Sequence, residues 1–328
     1  AGKKVGMIGT TGTVIGYVVT PTLNTTPESY ELHQAFAQMV EAGCEYAVME
    51  VSSQGIKMHR TDGLYFNYAI FTNISPDHIG PGEHADFEEY LYYKTRLLNM
   101  CGIGLVNKDD EHAPQIIKAA NCELYTYSEE SKEADFVASD IRYVSQPDFV
   151  GTEFHISGKY DMEVRLGIPG LFNVVNALAA VSVCSFLGLD QARISHALEN
   201  IRVNGRMEIV YTSERCTVLV DYAHNAVSME SLLSTLRDYK PKRLVCVFGC
   251  GGNRSKDRRY SMGEIGGKMA DLSIITADNS RYEKVEDIIA DIRGSIEKTG
   301  GKFIEIPDRR EAIRYSILHR SEERRVGK

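Results

Sequence analysis

The stretch "GMIGTTGTVIG", residues 6–16, decides how the rest of the chain is read. It is glycine-rich and continues the apolar run Val5–Ile8, so it invites reading as a phosphate-binding loop. A Walker loop needs glycines for close backbone approach and then Lys and Ser/Thr for phosphate and Mg²⁺. No lysine follows Gly12; Thr13, Val14 and Ile15 stand there. The dinucleotide pattern G-x-G-x-x-G is also unmet, because Gly9, Gly12 and Gly16 fall at other spacings. On its own terms the stretch is a strand end followed by a turn, the opening of an α/β domain.

Outward from it, short apolar runs alternate with helical patterns. Strands are expected at Val5–Ile8, Tyr46–Glu50, Tyr68–Thr72 and Ile103–Val106. Between the first two, Leu32, Phe36, Met39 and Val40 recur at helical spacing and Gly43 ends the helix. Asp86–Asn99 reads as a second helix. This alternation argues for a parallel sheet covered by helices. Residues 135–167 change texture to short alternating strands with polar turns, a small β insert. Apolar Gly170–Gly188 and then Asp190–Asn200 read as helices. A second strand–helix series starts near Arg206, with strands at Thr217–Val220, Leu244–Phe248, Leu272–Thr276 and Phe303–Ile306. Helices near 226–239, 258–269 and 285–297 separate them, and another begins at Asp308. The boundary is placed at "VNG", 203–205, giving domains 1–204 and 205–320. The charged end "SEERRVGK", 321–328, lacks a core face and reads as a tail of doubtful origin.

A chain of 328 residues suits two domains. Hydrophobic residues at 43% leave room for real cores, and a net charge of −8 disfavours a nucleic-acid partner. No apolar run approaches the ~18 residues of a membrane span. Seven scattered cysteines with no C-x-x-C argue against a zinc site and for a reducing compartment.

The polar chemistry collects at strand ends, where ligands bind in open parallel sheets. In "YAVMEVSSQGIKMHR", Glu50 ends a strand and could hold Mg²⁺, Ser52 could meet a polar substrate and Arg60 an anionic one; a solvated strand end is the alternative. In "FTNISPDHIG", Asp77 and His78 follow the next strand. His78 is a metal ligand or an acid–base group, or the pair caps a turn. Glu50 and His78 at adjacent strand ends would make a joint metal site. Lys94 lies in an amphipathic helix beside Tyr90 and Leu98, the setting of a snorkelling lysine. "DYAHN", 221–225, offers Asp221 to a ribose hydroxyl pair and His224 nearby. "GCGGNRSKDRR", 249–259, opens a helix with Arg254, Lys256, Arg258 and Arg259 as an anion-seeking loop. "TADNSRYE", 276–283, ends the next strand with Asp278, Asn279 and Arg281.

These residues resemble the Mur ligase family, and within it the UDP-N-acetylmuramoyl-tripeptide synthetases. The motifs "NTTPESYEL", "MEVSSQGIKMHR", "FTNISPDH", "EEYLYYKTRLL", "GLFNVVNALAA", "GRMEIV", "DYAH", "FGCGGNR" and "DNSR" occur in family order from residue 5 to about 315. The resemblance implies a central parallel-sheet ATPase domain with a β insert, followed by a Rossmann-like α/β domain. It implies a cytoplasmic, monomeric ligase of peptidoglycan synthesis that uses ATP and Mg²⁺ on small-molecule substrates. ATP would phosphorylate the carboxylate of UDP-MurNAc-L-Ala-D-Glu, and a diamino acid, meso-diaminopimelate, would attack the acyl phosphate through a tetrahedral intermediate.

Carried over by position, Glu50 and His78 match metal-binding residues, and Lys94 matches the lysine that the family carbamylates. Asn24, Thr25, Thr26, Ser52 and Arg60 match contacts to the UDP-MurNAc-dipeptide. Asn173, Asn176, Arg206 and Asp221 match nucleotide contacts. Arg254, Asp278, Asn279 and Arg281 match the amino-acid pocket. Ser280 stands where D-N-P-R has proline, and Met58 where some members have glutamine. The family's G-T-N-G-K-T loop would lie upstream of Ala1, so the chain is expected to be a fragment that cannot turn over ATP alone. A related ligase, such as a folylpolyglutamate or cyanophycin synthetase, and a non-catalytic binding homologue are the competing readings.

Overall fold

The computed structural model describes residues 2–76, 79–80 and 82–319. The opening stretch forms a hairpin: β1 (Val5–Gly9) turns through Thr10 and Thr11 into β2 (Gly12–Ile15), with Gly9 opposite Gly12. A third strand, β3 (Val18–Thr20), pairs antiparallel with β2. The segment is therefore strand, turn and return strand, where the sequence suggested a strand end and a turn. Helix α1 (Ser29–Glu41) buries Leu32, Ala35 and Met39 against Ile8. It leads to β4 (Tyr46–Met49), which pairs parallel with β1. The result is a four-stranded sheet in the order β3-β2-β1-β4.

After the short helix α2 (Ser53–Lys57), a second sheet starts with β5 (Phe66–Phe71). Helix α3 (Phe87–Thr95) is N-capped by Asp86, whose carboxylate accepts the Glu89 N–H, and it closes in a 3-10 turn at Arg96–Asn99. Then come β6 (Cys101–Asn107), α4 (Ala113–Ala119), β7 (Glu123–Ser128), β8 (Phe136–Ser145), β9 (Val150–Gly158) and β10 (Met162–Leu166). Their sheet has the order β10-β9-β8-β7-β6-β5 and is parallel from β5 to β8. A core of Phe71, Ile74, Leu91, Leu98, Val106 and Ile116 lies under α3 and α4. Helix α5 (Leu171–Phe186) and helix α6 (Gln191–Glu199) follow, the latter capped by Asp190.

The β-meander expected at 135–167 and the expected helices are present. One pairing differs. β4 and β5 belong to different hydrogen-bonded sheets, because β4 pairs with β1 and β5 pairs with β6. β4, which Glu50 follows, is thus not a hydrogen-bonded neighbour of β5, and His78 lies outside the described residues.

The later series begins with an antiparallel pair, β11 (Glu208–Thr212) and β12 (Thr217–Val220). After α7 (Ala226–Asp238), three parallel strands form one sheet: β13 (Val245–Phe248), β14 (Leu272–Ile275) and β15 (Phe303–Glu305). Helices α8 (Lys256–Met269), α9 (Val285–Thr299) and α10 (Arg309–Leu318) complete it. Its core joins Leu233, Phe248, Met262, Ile275, Ile289 and Ile292.

The chain divides into two compact units. The first takes residues through Ile141, Phe154–Arg165 and Phe172–Asn200; the second takes Arg142–Glu153, Leu166–Leu171 and Ile201 onward. Residues 321–328 lie outside the described residues. No described helix is long and apolar enough to cross a membrane. The seven cysteines are free thiols, and burial pushes those of Cys101 and Cys246 up to about 12, where a thiolate is scarce.

Candidate functional site

In the first unit, the turn of the opening hairpin fastens the carboxylate that follows β4. Glu50 Oε2 accepts the Thr10 N–H at 3.1 Å and the Thr10 hydroxyl at 2.7 Å. Gly9 makes this approach possible, since a Cβ there would stand 2.8 Å from the Glu50 carboxyl carbon. Thr10 Oγ1 also lies 3.1 Å from Thr25 Oγ1. Beside it Thr26 is fully buried. Its hydroxyl donates to the Glu50 carbonyl at 3.0 Å and accepts the Ser52 N–H at 2.9 Å. Arg60 donates to the Thr26 carbonyl at 3.2 Å and pairs with Glu28 at 2.8 Å.

One network thus joins Thr25, Thr26, Glu50, Ser52 and Arg60, with half-buried Asn24 next in the chain. Ser52 Oγ accepts the Gly55 N–H at 3.0 Å as the N-cap of α2, which leaves its O–H to donate. Glu50 Oε1 accepts no hydrogen bond among the described residues, so one carboxylate oxygen is left for a cation.

Lys94 sits half-buried on α3 beside the end of β5. Its ammonium donates to the Asn73 carbonyl at 3.4 Å and lies 5.4 Å from the Tyr90 ring centroid and 6.0 Å from that of Phe71. Asp77 and His78 lie outside the described residues. Among the described residues no three His, Cys, Asp or Glu side chains form a metal cluster. The two sides of this unit are coupled through fully buried His84, whose Nε2 lies 2.9 Å from Ser53 Oγ on α2. Lys57 on α2 also pairs with Glu89 on α3 at 2.8 Å, which holds the Glu89 carboxyl below its ordinary range.

Asn173 and Asn176 stand three residues apart in the first turns of α5, hence on one face. In the second unit Asp221 holds the turn that presents Arg206. Asp221 Oδ2 accepts the Met207 N–H and Oδ1 the Ala223 N–H, both at 2.8 Å. The Arg206 guanidinium lies 5.0 Å from the ring of Tyr222, and the His224 ring 5.2 Å from it.

The loops after β13 and β14 are laid backbone to backbone. The Gly252 N–H donates to the Asn279 carbonyl at 2.8 Å, and the Tyr282 N–H to Asn253 Oδ1 at 3.2 Å. Only glycine fits at 252, where a Cβ would stand 1.9 Å from the Ser280 carbonyl oxygen. This packing puts exposed Arg254, Asp278, Asn279 and Arg281 on adjoining loops. Neither Arg254 nor Arg281 has an ion-pair partner among the described residues.

The basic run 254–259 is not uniformly open to anions. Arg259 is 1% exposed, and it binds both Glu283 oxygens at 2.7 Å and Asp291 at 2.9 Å. Lys256 pairs with Asp291 at 3.1 Å. Thr10, Arg259 and Glu283 are the contributors that sequence reasoning did not single out for these roles. Each acts on a partner 24 or more residues away, a separation that carries no local pattern.

The Mur ligase middle domain matches residues 1–184, and the Mur ligase glutamate ligase domain residues 205–326. The UDP-N-acetylmuramoyl-L-alanyl-D-glutamate–2,6-diaminopimelate ligase of Caldanaerobacter subterraneus subsp. tengcongensis is 39% identical over 321 residues, which cover 96% of this chain and 64% of that relative. The ligase of the same name from Clostridium perfringens is 37% identical, with 97% and 65% covered. A solved structure of a ligase of that name aligns with a TM-score of 0.75 at 32% identity, over 97% of this chain and 65% of that one. Mycobacterium tuberculosis folylpolyglutamate synthase, at 18% identity, 93% and 68% coverage and a TM-score of 0.64, shares the fold. The chain therefore spans a little under two thirds of the length of these curated relatives.

Proposed function

Because this chain belongs to the Mur ligase family, we propose that it takes part in ATP-dependent amide-bond formation, joining meso-diaminopimelate to UDP-MurNAc-L-Ala-D-Glu. The reaction suits a cytoplasmic monomer acting on small molecules, divided at 203–205 into a central ATPase domain and a Rossmann-like domain. The observation that carries the reading is the pair of exposed guanidiniums, Arg254 and Arg281, on loops fixed to each other by the Gly252–Asn279 and Asn253–Tyr282 hydrogen bonds. Diaminopimelate differs from L-lysine by one carboxylate at its far end. A guanidinium fork bonds a carboxylate in a bidentate way and repels an ammonium. Asp278 on the same loop complements an ammonium of the diamino acid, with Asn279 beside it.

The residues present fit Mg²⁺. This ion commonly takes one or two carboxylates and completes its shell with water and substrate phosphates. Glu50 offers one oxygen. Lys94 offers oxygen only as a carbamate, when its cation becomes an anion, and His78 is retained as a third ligand. When bound, Mg²⁺ offsets charge that develops on the transferred phosphoryl group.

The chain's own groups do the positioning. Asn24, Thr25, Ser52 and Arg60 meet the UDP-MurNAc-dipeptide, and buried Thr26 holds that segment against Glu50. Asn173, Asn176, Arg206 and Asp221 hold the nucleotide. The dipeptide's carboxylate is activated as an acyl phosphate, and the amine held by the Arg254–Arg281 loops attacks it. The test is ADP release by the complete product of the gene. Release should require UDP-MurNAc-L-Ala-D-Glu and the diamino acid together. Release that ignores either substrate, or none at all, contradicts the proposal.

A further inference from the structure

We propose that Arg259 and Glu283 are positioning residues that make the amine pocket selective for a carboxylate, by locking the Arg254 and Arg281 loops together and keeping Glu283 away from both arginines. The inference rests on the reading of Arg254 and Arg281 as the pocket for the diamino acid.

The geometry forms a closed chain. Arg259, on α8, is 1% exposed. One amino nitrogen donates to both Glu283 oxygens at 2.7 Å, and the other donates to Asp291 on α9 at 2.9 Å. Glu283 Oε1 also accepts the Asn253 N–H. Asn253 Oδ1 in turn accepts the Tyr282 N–H at 3.2 Å. The buried guanidinium therefore ties the residue before Arg254 and the residue after Arg281 to the framework of α8 and α9.

Both loops are held in strained backbone. Arg281 has φ 52°, the left-handed region that most non-glycine residues avoid, and Asn253, a residue type that tolerates that region better, has φ 51°. Such conformations persist where the surroundings over-determine them. The Arg259–Glu283–Asn253 chain supplies that constraint on both sides. It also decides charge pairing. Glu283 is the carboxylate two residues from Arg281, and without Arg259 it is the natural partner for that exposed guanidinium. With Arg259 present, Glu283 is committed and sits below the usual carboxylate range, through the Arg259 hydrogen bond first and the Asn253 N–H second. Arg281 is left for the ligand. Preorganised cations discriminate better than mobile ones, because ordering them is not charged against binding.

The test is calorimetric binding of meso-diaminopimelate and L-lysine to the 328-residue chain, its Glu283→Gln variant and its Arg259→Lys variant. Hydrogen exchange at Gly252 and Asn253 is followed in parallel. Glu283→Gln keeps the shape but weakens the fork. It also removes a negative charge near Arg281, so simple electrostatics predicts tighter binding of the extra carboxylate. Loop positioning predicts the opposite: about tenfold weaker binding of meso-diaminopimelate, little change for L-lysine, and faster exchange at both amides. Arg259→Lys keeps the buried charge and loses the fork, so it should weaken binding in the same direction and serves if Glu283→Gln fails to fold. Unchanged or tighter binding of meso-diaminopimelate in a folded variant overturns the inference. A wild-type chain with no preference for meso-diaminopimelate overturns instead the reading of the pocket on which it rests.

Discussion

Replacing Thr26 with valine exchanges one hydroxyl for a methyl group of nearly the same shape. Thr26 is fully buried, and its hydroxyl both donates to the Glu50 carbonyl and accepts the Ser52 N–H. Valine satisfies neither. An orphaned buried polar group costs about 1–3 kcal/mol. Water reaches part of Glu50 and Ser52, which places the sum at about 2–3 kcal/mol, near the low end. For a unit of this size that lowers the melting midpoint by roughly 5–10 °C. Thr26→Ser is the control. It keeps the hydroxyl and loses a methyl that packs on Gly55, where a Cβ would stand 2.7 Å from Thr26 Cγ2. Its expected loss is about 1 kcal/mol. The assay is thermal and urea unfolding, with hydrogen exchange at the Ser52 amide to localise the effect. The expected order of stability is wild type, then Thr26→Ser, then Thr26→Val, with Ser52 exchange accelerated only in the last. A valine variant as stable as wild type would refute the claim that Thr26 fastens this strand end.

Three further outcomes are expected. In the complete gene product, Arg281→Ala should lower the preference for meso-diaminopimelate over L-lysine by about 5- to 30-fold, the value of a charged hydrogen bond of about 1–2 kcal/mol at an exposed site; an unchanged ratio of kcat/KM for the two amines sinks that role. Lys94→Ala should cut kcat strongly, leave ATP binding nearly intact and respond to added bicarbonate or a short carboxylate, and near-normal turnover would remove Lys94 from the chemistry. Burial, with Asp109 and Glu130 nearby, pushes the Glu129 carboxyl up from 4.5 to about 7. The folded chain then holds a proton that the unfolded chain releases, so this group lowers stability as pH rises from about 4.5 to about 7. Glu129→Gln should flatten that part of the urea-unfolding profile, and an unaltered pH profile would contradict the assignment.

Local signals carried the fold well where one element speaks for itself. Leu32, Phe36 and Met39 at helical spacing marked α1, and the apolar runs before Glu50 and Asp278 marked the strands that end there. Pairing was less legible. The Thr10–Thr11 turn lacks the Asn-Gly or Asp-Gly signal of a tight hairpin, so β2 was hidden inside what read as a loop. Nor did the order of strands along the chain reveal that β4 and β5 take different partners, because pairing depends on which edges are already occupied. At the site, Arg254 and Arg281 stood out as cations after glycines and strand ends. Arg259 looked like one more solvated cation of the same run, and only its carboxylates, 24 and 32 residues away, make it a buried tie.

The central claim is that this chain's pocket selects the amine that is joined to the dipeptide. Its most direct test incubates the complete gene product with ATP, Mg²⁺, UDP-MurNAc-L-Ala-D-Glu and equal concentrations of meso-diaminopimelate and L-lysine, and reads the products by mass. The account predicts a diaminopimelate-containing tripeptide in large excess, with one ADP formed per bond. A lysine-containing product in equal amount, or no ATP-dependent product from either amine, contradicts it.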